Sequence, residues 1–365
     1  MVYIIMEKLR VAVIGQGRSG YSIHSAYFLS EANDIVDVVA VVDFLADRRE
    51  KAKEKFGCDV YADYTELFGR TDIDLVVNAS YSHMHYPITK DLLLHGFNVL
   101  TEKPFGATWV QTQELIRIAE KKNLLVAAFH QSLLAPNYKK VKEIIASGVL
   151  GKLKEVKMYY SGFARRWDWQ TVQCNCAGSV YNTGPHPIGL ALDLLDWDEN
   201  AKVAYADLDN LLASGDAEDF AKIILTAPGK HITDIEISPV DAFIPGYQFK
   251  VCGTQGTLIM YANRYSLKYI VPEENPPRPL IRESLANANG DPIYCGEKLE
   301  WHTEEGDVTG SAFDSAVNEF YHMVYSALRE GKPLYVTPQM ASRVVHVIET
   351  CHALNPLPVE YTLED

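Results

Sequence analysis

No apolar run among the 365 residues approaches the roughly 20 that a membrane-crossing helix needs. Cysteine is sparse as well. Cys58, Cys174, Cys176, Cys252, Cys295 and Cys351 are scattered along the chain, which excludes a disulfide framework and fits a reduced, cytoplasmic setting. Cys174-x-Cys176 has no second pair nearby, so no metal is expected. Positive charge is in deficit, with 34 Lys and Arg against 48 Asp and Glu, a formal net charge of −14. An acidic chain without a long Lys/Arg run is a poor partner for nucleic acid or an anionic membrane. The basic cluster from Lys51 to Lys55 is interleaved with Glu54 and reads as a solvated helix face. The opening six residues are apolar but short, with no basic leader or small-residue cleavage site, so they read as neither signal nor anchor; Met6 offers an alternative start. What remains is globular: 47% hydrophobic residues and a length that permits two domains burying roughly 75% of the unfolded surface.

Strand and helix patterns alternate through the first 130 residues. Short apolar runs at 10–14, 36–43, 74–79, 98–101 and 124–129 read as buried strands, separated by helical patterns at 19–30, 47–56, 87–95 and 111–121. Repeated strand–helix units predict an α/β, doubly wound parallel sheet with right-handed crossovers. The rhythm then changes. Helices at 137–147 and 185–195, a strand at 154–160 and a succession of β-type runs between 219 and 271 predict an α+β unit with a mostly antiparallel sheet. Residues 274–291, rich in Pro, Asn and Gly, read as a long loop, and helices at 312–330 and 339–354 close the chain. The expected division is 1–130, a dinucleotide-binding unit, and 131–365, a substrate-binding and oligomerisation unit.

The first strand runs into Gly15-Gln16-Gly17-Arg18-Ser19-Gly20, a complete G-x-G-x-x-G. With 23 glycines in the chain, such a motif arises by chance about 0.1 times, so its context matters more than its letters. Here it follows a strand and opens a helix, where free N–H groups and the helix dipole favour a pyrophosphate. Asp43 ends the second strand, 23 residues beyond Gly20, where a carboxylate can accept hydrogen bonds from an adenosine ribose and repel a 2′-phosphate. That favours NAD over NADP, although Arg48 and Arg49 lie near enough in sequence to receive a 2′-phosphate.

Glu102-Lys103-Pro104 follows the fourth predicted strand, at the carboxyl end where ligands bind in such sheets. Pro104 pushes Lys103 toward an extended conformation. Asn182 and His186 are four residues apart, and Pro185 and Pro187 are tolerable only near a helix start, so His186 is expected in the first turn. The dipole there disfavours imidazolium and leaves a neutral ring able to accept a proton.

With these residues in place, the chain resembles the glucose–fructose oxidoreductase, inositol dehydrogenase and rhizopine-catabolism (Gfo/Idh/MocA) family. The resemblance rests on the glycine turn and the stretches 77–85, 96–104 and 178–186, with further echoes at 147–152 and 251–258. It implies a Rossmann unit followed by an open-sheet unit that often builds a homodimer or homotetramer. It also implies NAD(P), with the nicotinamide facing a sugar, glycoside or polyol pocket. By resemblance, Lys103 contacts cofactor and substrate, His186 acts as acid/base, and Ser80 and His85 lie along the nicotinamide ribose. Two departures stand out. Asn182 replaces the usual Asp before the histidine, which removes a charge that would stabilise imidazolium and predicts a lower His186 pKa. His130-Gln-Ser132 replaces an Asn/Gln–Arg–Arg-like run, and Arg165, Trp167, Asp168 and Trp169 offer substitute contacts suited to a sugar ring.

The resulting expectation is an NAD-dependent dehydrogenase acting on a secondary hydroxyl of a sugar, glycoside (glucoside C3 among the options) or cyclitol. Lys103, Asn182 and His186 are the catalytic candidates. Two alternatives stay open: a redox-neutral enzyme that recycles tightly bound NAD, and a non-catalytic dinucleotide and sugar sensor.

Overall fold

In a computed structural model, which describes residues 7–364, two sheets account for the architecture. The apolar opening segment, Met6 included, lies outside the described residues. The first sheet is parallel. Its strands are β1 (Leu9–Ile14), β2 (Val36–Val42), β3 (Asp59–Tyr61), β4 (Leu75–Asn78), β5 (Val99–Thr101) and β6 (Val126–Ala128), in the spatial order β3-β2-β1-β4-β5-β6. That order reverses between β1 and β4, so the loops leaving the carboxyl ends of these two strands diverge and open a crevice. β1, β4, β5 and β6 are buried nearly throughout because helices cover both faces. The sequence reading missed β3, whose three residues Asp59, Val60 and Tyr61 carry no apolar run. As an edge strand it is exposed on one flank and is held by pairing to β2.

The connecting helices are α1 (Ala26–Phe28), which continues a π-helical turn over Gly20–Ser25, α2 (Ala46–Phe56), α3 (His85–Leu94) and α4 (Trp109–Lys122). α4 shows how locally these ends are specified: Thr108 caps its start by accepting from Gln111 N–H, and Asn123 ends it in the left-handed conformation.

After α5 (Pro136–Ala146) comes β7 (Leu153–Tyr159), the first strand of an eight-stranded sheet. Helices α6 (Ser179–Asn182) and α7 (Pro185–Leu194) precede its remaining strands: β8 (Lys202–Asp209), β9 (Phe220–Thr226), β10 (Ile232–Ile237), β11 (Phe249–Gly253), β12 (Gly256–Met260), β13 (Arg264–Tyr269) and β14 (His302–Asp307). The order is β14-β13-β12-β11-β7-β10-β9-β8, antiparallel except for the β7–β10 pair, as the change of rhythm predicts. One face is core: Ala221, Ile223 and Leu225 alternate with half-buried Lys222 and Ile224 along β9. The segment between β13 and β14 is exposed and irregular, as its composition indicates.

The chain then returns to the first sheet. Helix α8 (Ser315–Glu330) sends Phe320 and Tyr321 against Phe129, Tyr27 and Phe28, and α9 (Pro338–Leu354) sets Ala341 and Val345 into the core beside Leu115 and Ile116 of α4. One continuous apolar cluster therefore runs from β1 through α8 and α7 to the second sheet. This packing fixes the two halves of the crevice against each other.

Candidate functional site

A cleft of about 580 Å³ lies at the carboxyl ends of β1, β2, β4 and β5 and is closed on its other side by residues 166–186. Its floor is the glycine turn. Gly15 has φ +89°, and a Cβ there would meet Ala79 O at 2.4 Å. A Cβ on Gly20 would lie 1.9 Å from Gly15 O, so only glycine lets the helix start press onto the turn. At Gly17 a Cβ would meet nothing closer than an Arg48 Nη atom at 3.9 Å, so the turn is open on the cleft side. Arg18 and Ser19 line the same surface, whereas Gln16 and Gly20 are buried beneath it. Gln16 instead ties the turn to the second strand: its N–H donates to Asp43 Oδ2 at 2.7 Å, and its side-chain oxygen accepts from Ser25. Asp43 stands on the cleft wall with Oδ1 accepting from Leu45 N–H, and Arg48 reaches to 3.5 Å from its other oxygen.

Ser80 and His85 line the next stretch of wall. Both ring nitrogens of His85 face backbone carbonyls, Pro104 O at 2.8 Å and Ser80 O at 3.1 Å, so the imidazole braces the loop after β4 against the loop after β5. Glu102 and Lys103 follow β5, and the Lys103–Pro104 bond is cis. Glu102 is buried, its carboxylate engaged by His24 and by the Lys103 N–H. Lys103 Nζ donates to Asn182 O at 2.6 Å and approaches Asn182 Oδ1 at 3.4 Å. Burial lowers the Lys103 pKa, as do Arg18 and Arg166, against the opposing charge of Glu102.

The opposite wall comes from the second half of the chain. His186 is the second residue of α7, where the proline pair placed it. It lines the cleft with Nδ1 3.3 Å from Ser132 Oγ, and burial, the charge of Lys103 and His130 together hold it down to about 3. Asn182 Oδ1 also accepts from Gln170 at 3.2 Å, so this amide oxygen is shared between Lys103 and Gln170. Trp169 closes over the first half, edge-on to Tyr81 with ring centroids 4.8 Å apart.

Three expected substrate contacts fall elsewhere. Trp167 is 81% exposed and Arg165 is also exposed, and neither lines the cleft. From the same irregular stretch Arg166 and Asp168 face the cleft instead, paired at 2.7 Å. His130 is buried behind His186, against Gly189 of α7, and Gln131 takes the cleft position one residue later. Sequence reasoning passed over Arg166, Gln131, Gln170, Tyr81 and Phe313, all of which line the cleft. Nothing local marks Phe313, which arrives from the loop before α8.

Among the described residues no group of three or more His, Cys, Asp or Glu is arranged to hold a metal, and no helix is long and apolar enough to cross a membrane.

Residues 9–130 match the model of the oxidoreductase family with an NAD-binding Rossmann fold (Gfo/Idh/MocA), and residues 138–259 match the Gfo/Idh/MocA C-terminal domain. The chain belongs to this family. An uncharacterized oxidoreductase of Schizosaccharomyces pombe is 29% identical over 192 residues, 52% of each chain, so this chain spans about half the length of that curated relative. The scyllo-inositol 2-dehydrogenase (NADP(+)) IolW of Bacillus subtilis is 22% identical over 354 residues, 96% of each chain. The crystal structure of GenD2 from gentamicin A biosynthesis, in complex with NAD, superposes with a TM-score of 0.74 at 21% identity, covering 98% of both chains.

Proposed function

We propose that the cleft binds a nicotinamide dinucleotide and oxidises a secondary hydroxyl of a sugar, glycoside or cyclitol. The observation that carries this reading is the meeting in one cleft of an open glycine turn with a half-buried lysine and a neutral histidine. The turn fits a dinucleotide. Side-chain atoms are missing from the cleft side of Gly17, and the helix start beside it supplies N–H groups and positive dipole to a pyrophosphate. Arg18, Ser19 and Asp43 would hold it, with Ser80 and the braced loop at His85 along its inner end. When bound, the oxidised nicotinamide supplies the hydride acceptor.

The chain's own residues handle the proton and the developing charge. His186, unprotonated down to about pH 3, takes the proton of the substrate hydroxyl. The Lys103 ammonium stabilises the alkoxide character that develops on that oxygen. Asn182 holds Lys103 in place through its backbone carbonyl and shares its side-chain oxygen with it. Gln131, Arg166 and Gln170 offer donors and acceptors to further hydroxyls, and Trp169 offers an aromatic face. One relative supports this substrate class, the Bacillus dehydrogenase named for an inositol.

The test is NAD(P)H formation, followed by near-ultraviolet absorbance, with NAD and NADP in parallel against inositols, hexoses and aryl glucosides. Turnover on this panel is expected. Confirmed dinucleotide binding without turnover on any member would replace this reading with cofactor recycling or sensing.

A second cofactor reading has its own observation. Arg48 lines the cleft beside both Asp43 and Gly17, positioned to meet a 2′-phosphate, and the Bacillus relative is named as an NADP(+) enzyme. Arg48→Ala is expected to weaken NADP about tenfold or more while leaving NAD within about twofold. Equal losses for both cofactors would remove Arg48 from the choice.

A further inference from the structure

Running back from Glu102 in the cleft wall, three side chains that the proposed chemistry does not use form a single buried chain. Glu102 is 3% exposed, His24 is 0% exposed and Tyr321 of α8 is 0% exposed. Tyr321 Oη lies 2.6 Å from His24 Nδ1, and His24 Nε2 lies 3.1 Å from Glu102 Oε1. Glu102 Oε2 in turn accepts the N–H of Lys103 at 3.0 Å. The ring is packed edge-on against Phe129 at 4.7 Å, and Tyr27 stacks on Tyr321 at 5.0 Å while its own hydroxyl donates to Asn318.

Matching donors to acceptors gives this chain one direction. Glu102 can only accept, so Nε2 carries the proton and donates to it. Burial and the charge of Glu102 push Tyr321 well above its ordinary value, so it stays a phenol and donates to Nδ1. A doubly protonated ring would leave the buried phenol proton without an acceptor. In the matched state the phenol therefore donates to a neutral imidazole and the imidazole to the carboxylate, which also accepts the Lys103 N–H from its other side. Burial alone would raise Glu102, but the hydrogen bond from His24 and the nearby charge of Lys103 outweigh it and hold the acid below the usual carboxylate range.

We propose that His24, oriented by Tyr321, is a positioning residue that keeps Glu102 ionised beside Lys103, so that α8 maintains the counter-charge that keeps Lys103 an ammonium. The inference rests on the reading of Lys103 as the charge-stabilising group. The other charged and titratable groups around Lys103 are Arg18 and Arg166, which oppose its protonation, and His85, His130 and His186. Glu102 is the one group named among them that favours the ammonium. Without His24, the buried Glu102 Oε1 loses its donor, the carboxylate takes a proton more readily, and Lys103 releases its own at lower pH.

Competitive acetylation of Lys103 against pH, read by mass spectrometry on the full-length protein without cofactor or substrate, measures this directly. Glu102→Gln sets the full effect, expected to lower the labelling midpoint by about one pH unit or more, tenfold in proton affinity. His24→Gln is expected to approach that shift, and Tyr321→Phe, which keeps the ring packing, to give a smaller shift of the same sign. If His24→Gln does not fold, Tyr321→Phe carries the comparison with Glu102→Gln. A shift in Glu102→Gln with none in the soluble His24 and Tyr321 variants would overturn the proposal. A shift in all three, with an unchanged alkaline limb in kcat, would uphold the proposal and defeat the assignment of Lys103 to charge stabilisation.

Discussion

The two walls of the cleft are built in different ways. The wall from the first sheet is made of backbone: a turn of glycines at the end of β1, the ends of β2 and β4, and a loop braced by His85. The wall from residues 131–186 is made of side chains linked in series, with Arg166 to Gln170, Gln170 to Asn182 and Asn182 to Lys103. A backbone wall tolerates few substitutions where it is tight and many where it is open. A side-chain wall can change partners without changing the fold, which is where substrate choice is expected to reside.

The largest effect should separate these walls outright. Gly20→Val places side-chain atoms inside the backbone of Gly15 and is expected to abolish cooperative unfolding or soluble expression, whereas Trp167→Ala, on an exposed side chain, should leave the melting temperature unchanged. A soluble Gly20→Val variant with normal dinucleotide affinity would break the contrast. Within the side-chain wall, Arg166→Ala should lower kcat/KM about tenfold on the best panel substrate, and Arg165→Ala less than about twofold, because only Arg166 reaches the cleft. The reverse ranking would mean that the 164–168 segment turns over on binding.

The pH dependence follows from directions already described. His186 is held at about 3, so its basic form persists through the neutral range, and kcat/KM for oxidation should show no acid limb from this residue above about pH 5. An acid limb near 6.5 that disappears in His186→Gln would contradict that environment. The smallest effect concerns stability. Beneath α6, buried Glu218 accepts from Val180 N–H and pairs with His352 at 3.2 Å. Burial lowers the His352 pKa, but Glu218 and the Ile348 carbonyl raise it more. A raised folded-state value makes the stabilisation fully present below about 6.5 and lost as pH rises through the higher folded value. The melting-temperature gap between the natural chain and His352→Gln should therefore narrow between about pH 6 and 9; a constant gap would assign the contact to packing alone.

The same contrast explains what could be read from the sequence. The parallel sheet, the change to an antiparallel sheet, the glycine turn, Asp43, Lys103 and the place of His186 at a helix start all follow from local rules of periodicity, φ and capping. β3 escaped because an edge strand of three residues has no periodicity to show. On the other wall, Asn182 was legible but its partner was not: its oxygen faces Lys103 and Gln170, a contact across 79 residues that no local pattern encodes. Arg165 and His130 each stand one residue from the side chain that lines the cleft, Arg166 and Gln131, because which side chain of an irregular stretch or a turn faces the cleft is set by what it packs against. Tyr321 and Phe313 come from the far end of the chain and could be placed only by the packing of α8 and the loop before it on the first sheet.

The central claim is that one wall holds the dinucleotide and Lys103 and His186 do the proton and charge work beside it. It is tested most directly by measuring NAD affinity by calorimetry and kcat by absorbance on the same preparations of the natural chain, Lys103→Ala and His186→Ala. The account predicts dissociation constants within about threefold of one another and kcat lower by about 100-fold or more in each variant. Full turnover in both variants, or losses in kcat matched by equal losses in NAD affinity, would contradict it.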